Sequence, residues 1–123
     1  MKSLNFLAIS VFILCFTSCT EKKASFKVTN NSNELIDSIE ISSSGSEYLT
    51  KSVLINIKNR EVVKIELDME NLPKVDGNYQ IEVFSNNSSE LKTFGYYSNG
   101  VPSGSIHLID IKSDAIEITE SFD

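Results

Sequence analysis

Residues able to support nucleophilic or acid–base chemistry are few, and they lie around one histidine. His107 is the single histidine of the chain; Ser103 and Ser105 precede it, and Asp110 and Asp114 follow it. A Ser-His-Asp triad would have to run through His107 alone, and no nucleophile-elbow motif is present. Because His107 lies within an apolar strand pattern, we interpret it as a structural or surface histidine. We predict that the protein is not an enzyme.

Carboxylates near one loop are the residues that could bind a cation. Asp68, Glu70 and Asp76 offer the oxygen ligands that Ca²⁺ prefers, but their spacing matches no EF-hand loop. Exposed carboxylates are also the ordinary state of an acidic protein. A zinc site with two or three histidines is excluded by the single His107. We therefore predict no metal site and no cofactor.

An aromatic segment beside a glycine-rich loop is the most suggestive feature for binding. Tyr96, Tyr97 and Asn99 fall within the segment from Phe94 to Gly100. Amphipathic aromatic side chains next to Asn and Ser suit the recognition of a glycan or a protein. Strand alternation would instead bury one of the two tyrosines, and Asn-Gly is a common turn pair. We take Tyr96, Tyr97 and Asn99 as the candidate partner-binding residues.

The N-terminus has the pattern of an export signal. Lys2 precedes an apolar run from Leu4 to Phe16, thirteen residues long. A secretory signal has an apolar region of about 7–15 residues, whereas a membrane-spanning helix needs about 20. Both cysteines, Cys15 and Cys19, lie at the end of this run or just after it. The run is therefore predicted to be a signal peptide.

The residues after the run indicate which kind of signal it is. Phe16-Thr17-Ser18-Cys19 resembles the lipobox of bacterial lipoproteins, in which two small residues precede a cysteine. The resemblance covers residues 1–19 and implies that Cys19 receives a diacylglycerol and becomes the mature N-terminus. Phe16 departs from the aliphatic residue usual in that family, and Cys15 has bulky flanks that disfavour cleavage there. The alternative is an ordinary signal peptide.

Three segments follow from this interpretation: a signal peptide over residues 1–18, a lipidated cysteine with a short linker over 19–25, and one domain over 26–123. A mature chain with one cysteine can form no internal disulfide. The formal net charge of the whole chain is −6, which argues against a nucleic-acid partner because phosphates demand clustered Lys and Arg. The membrane, reached through the lipid, is one predicted partner.

From Ser25 onward the hydrophobic pattern has a period of two. Val63, Ile65 and Leu67 alternate with charged residues, which is the clearest half-exposed strand of the chain. Similar runs are separated by polar turns at Asn30–Asn33, Ser43–Ser46, Lys58–Glu61, Glu70–Asn78, Asn86–Ser89, Ser98–Gly104 and Lys112–Asp114. In the third run we expect Val53, Ile55 and Ile57 on one face. About seven or eight short strands are predicted.

This pattern predicts an all-β fold, as a single antiparallel β-sandwich or a small barrel. Asp76-Gly77-Asn78-Tyr79-Gln80-Ile81 resembles the tyrosine corner of immunoglobulin-like and fibronectin-like sandwiches. The resemblance implies that the Tyr79 hydroxyl returns to upstream backbone. Ile81 stands where a true immunoglobulin domain has its second core cysteine, so the sandwich would have no disulfide. A hairpin tyrosine in an unrelated β fold is the alternative.

Together these features predict a non-enzymatic lipoprotein of the cell envelope that binds an unidentified protein or glycan near the membrane. The expected location is the outer membrane of a Gram-negative bacterium. One alternative is a structural or assembly accessory of the envelope. Another is an immunity-type lipoprotein that intercepts a toxin through charge complementarity. Fold alone does not choose between them.

Overall fold

The computed structural model describes residues 22–43 and 50–122, and within them the chain is all-β. The predicted signal peptide, Cys19 and the first residues of the predicted linker lie outside the described residues. Eight strands follow one another: β1 Lys23–Asn31, β2 Ile36–Ser43, β3 Lys51–Ile57, β4 Val62–Asp68, β5 Gly77–Ser85, β6 Ser88–Tyr97, β7 Ile106–Lys112 and β8 Ile116–Ser121. The predicted number of strands is confirmed.

The strands form two four-stranded sheets. The first has the order β4-β1-β7-β8, and the second has the order β3-β2-β5-β6. Consecutive strands β5 and β6 pair across a two-residue turn, Asn86-Asn87, whose φ angles of 49° and 62° match the turn that suits strand twist. The first sheet, by contrast, joins strands that are far apart in the sequence.

One pair contradicts the expectation of a purely antiparallel sandwich. β1 and β7 run parallel, with Ser25 opposite Ile106 and Asn31 opposite Lys112. The reason is the route of the chain. β6 ends and β1 begins at the same end of the molecule, and the connection 98–105 enters the first sheet from that end, so β7 must run in the direction of β1.

The two ends of the molecule differ in their connections. Four short turns lie at one end, which we call the Asn31 end: residues 32–35, 58–61, 86–87 and 113–115. The opposite end, the Lys23 end, holds the starts of β1, β3, β5 and β7 and the ends of the other four strands. It also carries the longer connections 69–76 and 98–105. The candidate binding residues therefore lie at the Lys23 end.

Side chains from both sheets share one core. Phe26 of β1 makes edge contacts with Tyr79 and Phe94 of the second sheet, with ring centroids 5.1 and 5.8 Å apart. The predicted apolar face of β4 is confirmed, since Ile65 and Leu67 are buried. The inner face is lined mainly by aliphatic residues: Val28, Ile36, Ile39, Ile41, Ile57, Ile65, Leu67, Ile81, Val83, Ile109, Ile111 and Ile116.

The first strand is longer at both ends than the sequence predicted. It begins at Lys23, three residues before the predicted domain start, because Ala24 continues the buried face of Phe26 and Val28. It also runs through Asn30, which the sequence had placed in a turn. Asn30 is completely buried, and its side chain donates to the carbonyl oxygens of Glu34 and Ile57 at 2.8 and 2.9 Å.

The expectation for β3 is wrong in its phase. Ile57 is buried, but Val53 and Ile55 are 49% and 69% exposed. Asn56 has a φ of 55°, a left-handed conformation that interrupts the alternation of the strand. Leu54 therefore packs against the core in place of its two neighbours.

Side-chain hydroxyls join the two sheets along one edge. Thr50 Oγ1 donates to the Asp68 carbonyl at 2.8 Å, and Ser52 Oγ donates to the Glu66 carbonyl at 2.7 Å. Both acceptors lie on β4, the edge strand of the first sheet. These bonds satisfy carbonyl groups that an edge strand otherwise leaves to solvent or to another chain.

Candidate functional site

The candidate site is a pair of connections held together by one carboxylate. Asp76 ends the connection 69–76, and its Oδ2 accepts a hydrogen bond from the Tyr96 hydroxyl at 2.8 Å. Its Oδ1 accepts the backbone N–H of Asn99, also at 2.8 Å. The Gly100 N–H donates to the Val75 carbonyl at 2.8 Å. We call this arrangement the Asp76 loop pair: residues 72–76 together with 96–101.

The tip of the loop pair is a tight turn, as Asn99-Gly100 predicted. Asn99 and Gly100 have φ angles of 54° and 71°, and Ser98 and Val101 on either side exchange two backbone hydrogen bonds. A Cβ on Gly100 would lie 2.7 Å from the Pro73 carbonyl oxygen. Glycine is therefore required both for the turn and for the close approach of the two connections.

The two candidate tyrosines point in opposite directions. Tyr96 is 55% exposed, whereas Tyr97 is 1% exposed and packs with its ring centroid 5.4 Å from that of Tyr79. Simple alternation would have buried Tyr97 together with Gly95, yet Phe94 is buried as well. Gly95 has a φ of 65°, and the β5–β6 register shifts by one residue beside it. This bulge changes the phase of the strand.

Structure at the bulge depends on glycine. A Cβ built on Gly95 would lie 2.8 Å from His107 Nε2 and 2.9 Å from Tyr79 Cδ2. No other residue type fits there without displacing the core. Tyr97 is thus a core residue, and Tyr96 and Asn99 are the candidates that present side chains to solvent.

Electrostatics within the loop pair favour an ionised Asp76. The Asn99 N–H and then the Tyr96 hydroxyl stabilise the charged carboxylate and hold the pKa of Asp76 below its ordinary value. The same hydrogen bond raises the pKa of Tyr96. The phenol therefore stays protonated and remains a donor to the carboxylate. The pair offers a fixed aromatic surface beside a negative charge.

His107 lies inside the core, where the chain uses it structurally. Its Nε2 is 3.1 Å from Glu120 Oε1, and its ring stacks on Phe26 with an interplanar angle of 26°. Tyr79 and Phe94 present their edges to the same ring. Its Nδ1 is buried without a hydrogen-bond partner. The position agrees with a structural histidine.

Most of the side chains considered as nucleophiles or metal ligands make hydrogen bonds within the protein. The Ser103 and Ser105 hydroxyls lie 2.8 Å apart and bond to each other. Asp68 Oδ1 accepts the Glu70 N–H at 3.0 Å, while Asp76 is occupied as described above. Within residues 22–43 and 50–122, no three His, Cys, Asp or Glu side chains form a group that could hold a metal ion.

Tyr79 occupies the position at which the sequence resembled a tyrosine corner, with a different partner. It is buried near the start of β5, and its hydroxyl lies 3.6 Å from Met69 Sδ. The resemblance implied a backbone acceptor instead. Met69 directly follows β4, so the contact still ties the connection between β4 and β5 to the core. Burial raises the pKa of the Tyr79 phenol.

Hollows on the surface of the described residues were not foreseen from the sequence. One, of about 300 Å³, lies on the outer face of the first sheet between Lys27, Leu108 and Glu117. Another, of about 410 Å³, lies at the Asn31 end, with Ile36 and Ile111 among its lining residues. Both depend on pairings between distant strands, for which a local pattern carries no signal.

Among the residues described, no helix is long and apolar enough to cross a membrane. No family model and no curated protein matches the sequence. One similar solved structure is described as a "putative cell adhesion protein" from Bacteroides ovatus. The two chains superpose with a TM-score of 0.43 and 12% sequence identity, over 81% of this chain and 43% of that one. The match spans less than half the length of that protein.

Proposed function

We propose that this chain is a lipid-anchored protein of the cell envelope, without catalytic activity, that binds a protein or glycan partner close to the membrane. The anchor would be Cys19, as the resemblance to a lipobox implies. Lys22 follows three residues later, and its carbonyl already accepts the Met69 N–H at 2.7 Å. The domain thus begins almost directly after the proposed site of lipidation.

We further propose that the two sheets form an immunoglobulin-like sandwich. If β1 is taken as strand B of that fold, the order β3-β2-β5-β6 corresponds to C′-C-F-G, and the antiparallel β1–β4 pair corresponds to B–E. Tyr79 then lies near the start of strand F, where the tyrosine corner belongs. The fold departs from the immunoglobulin arrangement on the other side of β1, where β7 and β8 take the place of strand A.

The Asp76 loop pair is the surface that carries the binding proposal. Tyr96 is exposed, yet its hydroxyl is held by Asp76, and the Asn99 backbone is held by the same carboxylate. Because these groups are already held in place, binding a partner costs less conformational entropy, which favours affinity. Tyrosine and asparagine are also residue types common in binding loops.

The surroundings of His107 support the absence of catalysis. Its ring is enclosed by three aromatic rings, and its Nε2 faces Glu120. A general base must reach the proton that it removes from a substrate. A buried imidazole in this position supports the core instead.

The anchor is tested by metabolic labelling with a clickable palmitate analogue. Wild type and Cys15→Ala are expected to incorporate the label, and Cys19→Ala is expected to lose it together with membrane attachment. Label that persists in Cys19→Ala, or that disappears only in Cys15→Ala, would contradict the proposed anchor.

The binding surface is tested with a partner identified by crosslinking in cells. Tyr96→Ala and Asn99→Ala are expected to weaken binding and to leave the melting temperature nearly unchanged. Tyr97→Ala is the matched control, because the loss of a buried ring should cost about 3–5 kcal/mol of stability. If both surface variants bind normally and affinity falls steeply with salt, the acidic surface is the site, which would favour an immunity-type function.

A further inference from the structure

The end of the domain that carries the Asp76 loop pair is also the end at which β1 begins. Lys23 opens β1 opposite Asp68, the last residue of β4. Tyr97 closes β6 opposite Gly77, and Ser121 closes β8 opposite Ile106. Strand direction therefore places the loop pair, the end of β8 and Lys22 at the Lys23 end.

The distance from this end to the proposed anchor is short. Lys22 lies three positions after Cys19. Because an extended chain covers about 3.3–3.6 Å per residue, the span between them is at most about 11 Å. The Lys22 carbonyl is fixed on Met69, next to the connection 69–76. If Cys19 is lipidated, the Lys23 end can reach the lipid surface, whereas the Asn31 end points away from it.

Apolar side chains are exposed at this end. Val75 and Val101 are each 42% exposed; Val101 follows the turn at Asn99-Gly100, and Val75 lies in the connection that packs against this turn. Phe122, just after β8, is 74% exposed. The Gly100 N–H bond to the Val75 carbonyl holds the two valines in neighbouring positions. Exposure alone does not identify a partner, since Leu35 at the Asn31 end is 48% exposed.

We propose that the domain stands end-on against the bilayer that holds its lipid, with Val75, Val101 and Phe122 in contact with the lipid interface. This inference rests on the proposed lipidation of Cys19. Burial of apolar side chains at the interface adds a second, weak attachment to the acyl chains, as in other proteins that combine two membrane signals. Tyr96 and Asn99 then lie at the level of the headgroups, and their partner is met at the membrane surface.

Electrostatic attraction is not part of this contact. Lys22, Lys23 and Lys74 lie at the Lys23 end, but so do Asp68 and Asp76. The proposal therefore requires no anionic lipid, and vesicles of phosphatidylcholine are the appropriate probe.

Tryptophan fluorescence provides the test, because the natural chain contains no tryptophan. The mature lipidated protein is prepared as Phe122→Trp, as Val101→Trp and as the matched control Leu35→Trp. Each is bound to phosphatidylcholine vesicles with or without bromine on the acyl chains. We expect brominated lipid to quench emission in Phe122→Trp and Val101→Trp, and their emission to shift to the blue. Emission from Leu35→Trp should be the same in both vesicles.

Flotation of the vesicles separates the inference from the anchor. Quenching is read only from protein that floats with the vesicles, and the melting temperature of each variant is compared with that of wild type. Vesicle-bound protein with unquenched, water-like emission at positions 101 and 122, or equal quenching at position 35, would overturn the end-on contact. Protein that does not float would overturn the proposed anchor. In that case coupling a maleimide lipid to the Cys19 thiol restores the tether, and the same quenching pattern then decides the contact.

Discussion

At the scale of single residues, Asn30 shows how much one buried polar side chain can organise. Its Nδ2 donates to the carbonyl oxygens of Glu34 and Ile57, and its Oδ1 accepts the N–H and the hydroxyl of Ser32. Its backbone bonds to Arg60 and Glu61. One residue thus joins two of the four turns at the Asn31 end.

We predict that Asn30→Ala destabilises the domain by about 1–3 kcal/mol, because it removes the side-chain donor to the buried Ile57 carbonyl. Asn31→Ala is the control. The Asn31 side chain bonds to Asp110 in an exposed position, so its loss should change stability by no more than about 0.5 kcal/mol. Chemical denaturation of both variants measures the difference, and equal effects would contradict the role given to Asn30.

His107 connects stability to pH. Burial among aromatic rings lowers the pKa of His107 below its ordinary value, and this effect outweighs the opposing attraction of Glu120. The unfolded chain, in which the imidazole titrates at about 6.5, then binds more protons than the folded chain in the pH range between the two pKa values. The contribution of His107 to the free energy of unfolding is fully present above the pKa that its imidazole has in the unfolded chain. It is lost as the pH falls through the lower pKa of the imidazole in the folded chain.

We therefore predict that the free energy of unfolding decreases as the pH is lowered from 7.5 to 5. The decrease should be steeper in wild type than in His107→Gln, which cannot take up the proton. Comparing the two slopes, rather than the absolute stabilities, allows for any cost of the substitution itself. Parallel slopes would show that carboxyl groups, and not His107, determine the pH dependence.

At the scale of elements, the bulge at Gly95 decides which of the two tyrosines is exposed to solvent. Gly95 and Gly104 both have positive φ angles, 65° and 81°, but only Gly95 is in close contact with neighbouring side chains. A Cβ on Gly104 would meet nothing within 4 Å. Substitution of Gly104 therefore tests backbone strain alone, whereas substitution of Gly95 tests backbone strain together with crowding.

We predict that Gly104→Ala costs about 1 kcal/mol, the strain of a left-handed conformation, and that Gly95→Ala costs about 2–4 kcal/mol because crowding against His107 and Tyr79 is added. Thermal unfolding of the two variants measures this difference. If both cost the same, the close packing at Gly95 is not limiting.

The strands themselves could be predicted from the sequence, but their irregularities could not. A period of two identified all eight strands, because alternation records which side chains face the core. The pattern failed at Asn56 and at Gly95, where a positive φ changes the phase. At Asn30 a polar residue was interpreted as a turn, because its buried acceptor, the Ile57 carbonyl at the end of β3, is distant in sequence. Tyr96, Tyr97 and Asn99 were proposed as binding residues from residue type alone, whereas the hydrogen bonds that Asp76 accepts from Tyr96 and Asn99 could be recognised only in the fold.

At the scale of the whole molecule, the start of the domain is a testable boundary. A chain that begins at Lys22 keeps the Lys22–Met69 backbone bond and the buried Ala24, and a chain that begins at Phe26 loses both. We predict that the shorter chain is less stable by about 1–3 kcal/mol, from the lost hydrogen bonds and apolar contact. Urea unfolding of the two fragments measures the difference, and equal midpoints would place the boundary after Ser25.

The parallel pairing of β1 with β7 has a consequence for how the chain would acquire its structure during the proposed export. The second sheet joins β2, β3, β5 and β6, so it can assemble before the C-terminal residues appear. β1 is completed only when Ile106–Lys112 arrives, since Ser25 pairs with Ile106. Contacts between such distant segments slow folding. A chain that crosses a membrane N-terminus first would leave one edge of its first strand unpaired until nearly all of the sequence has crossed, and during that interval it would depend on chaperones to avoid aggregation.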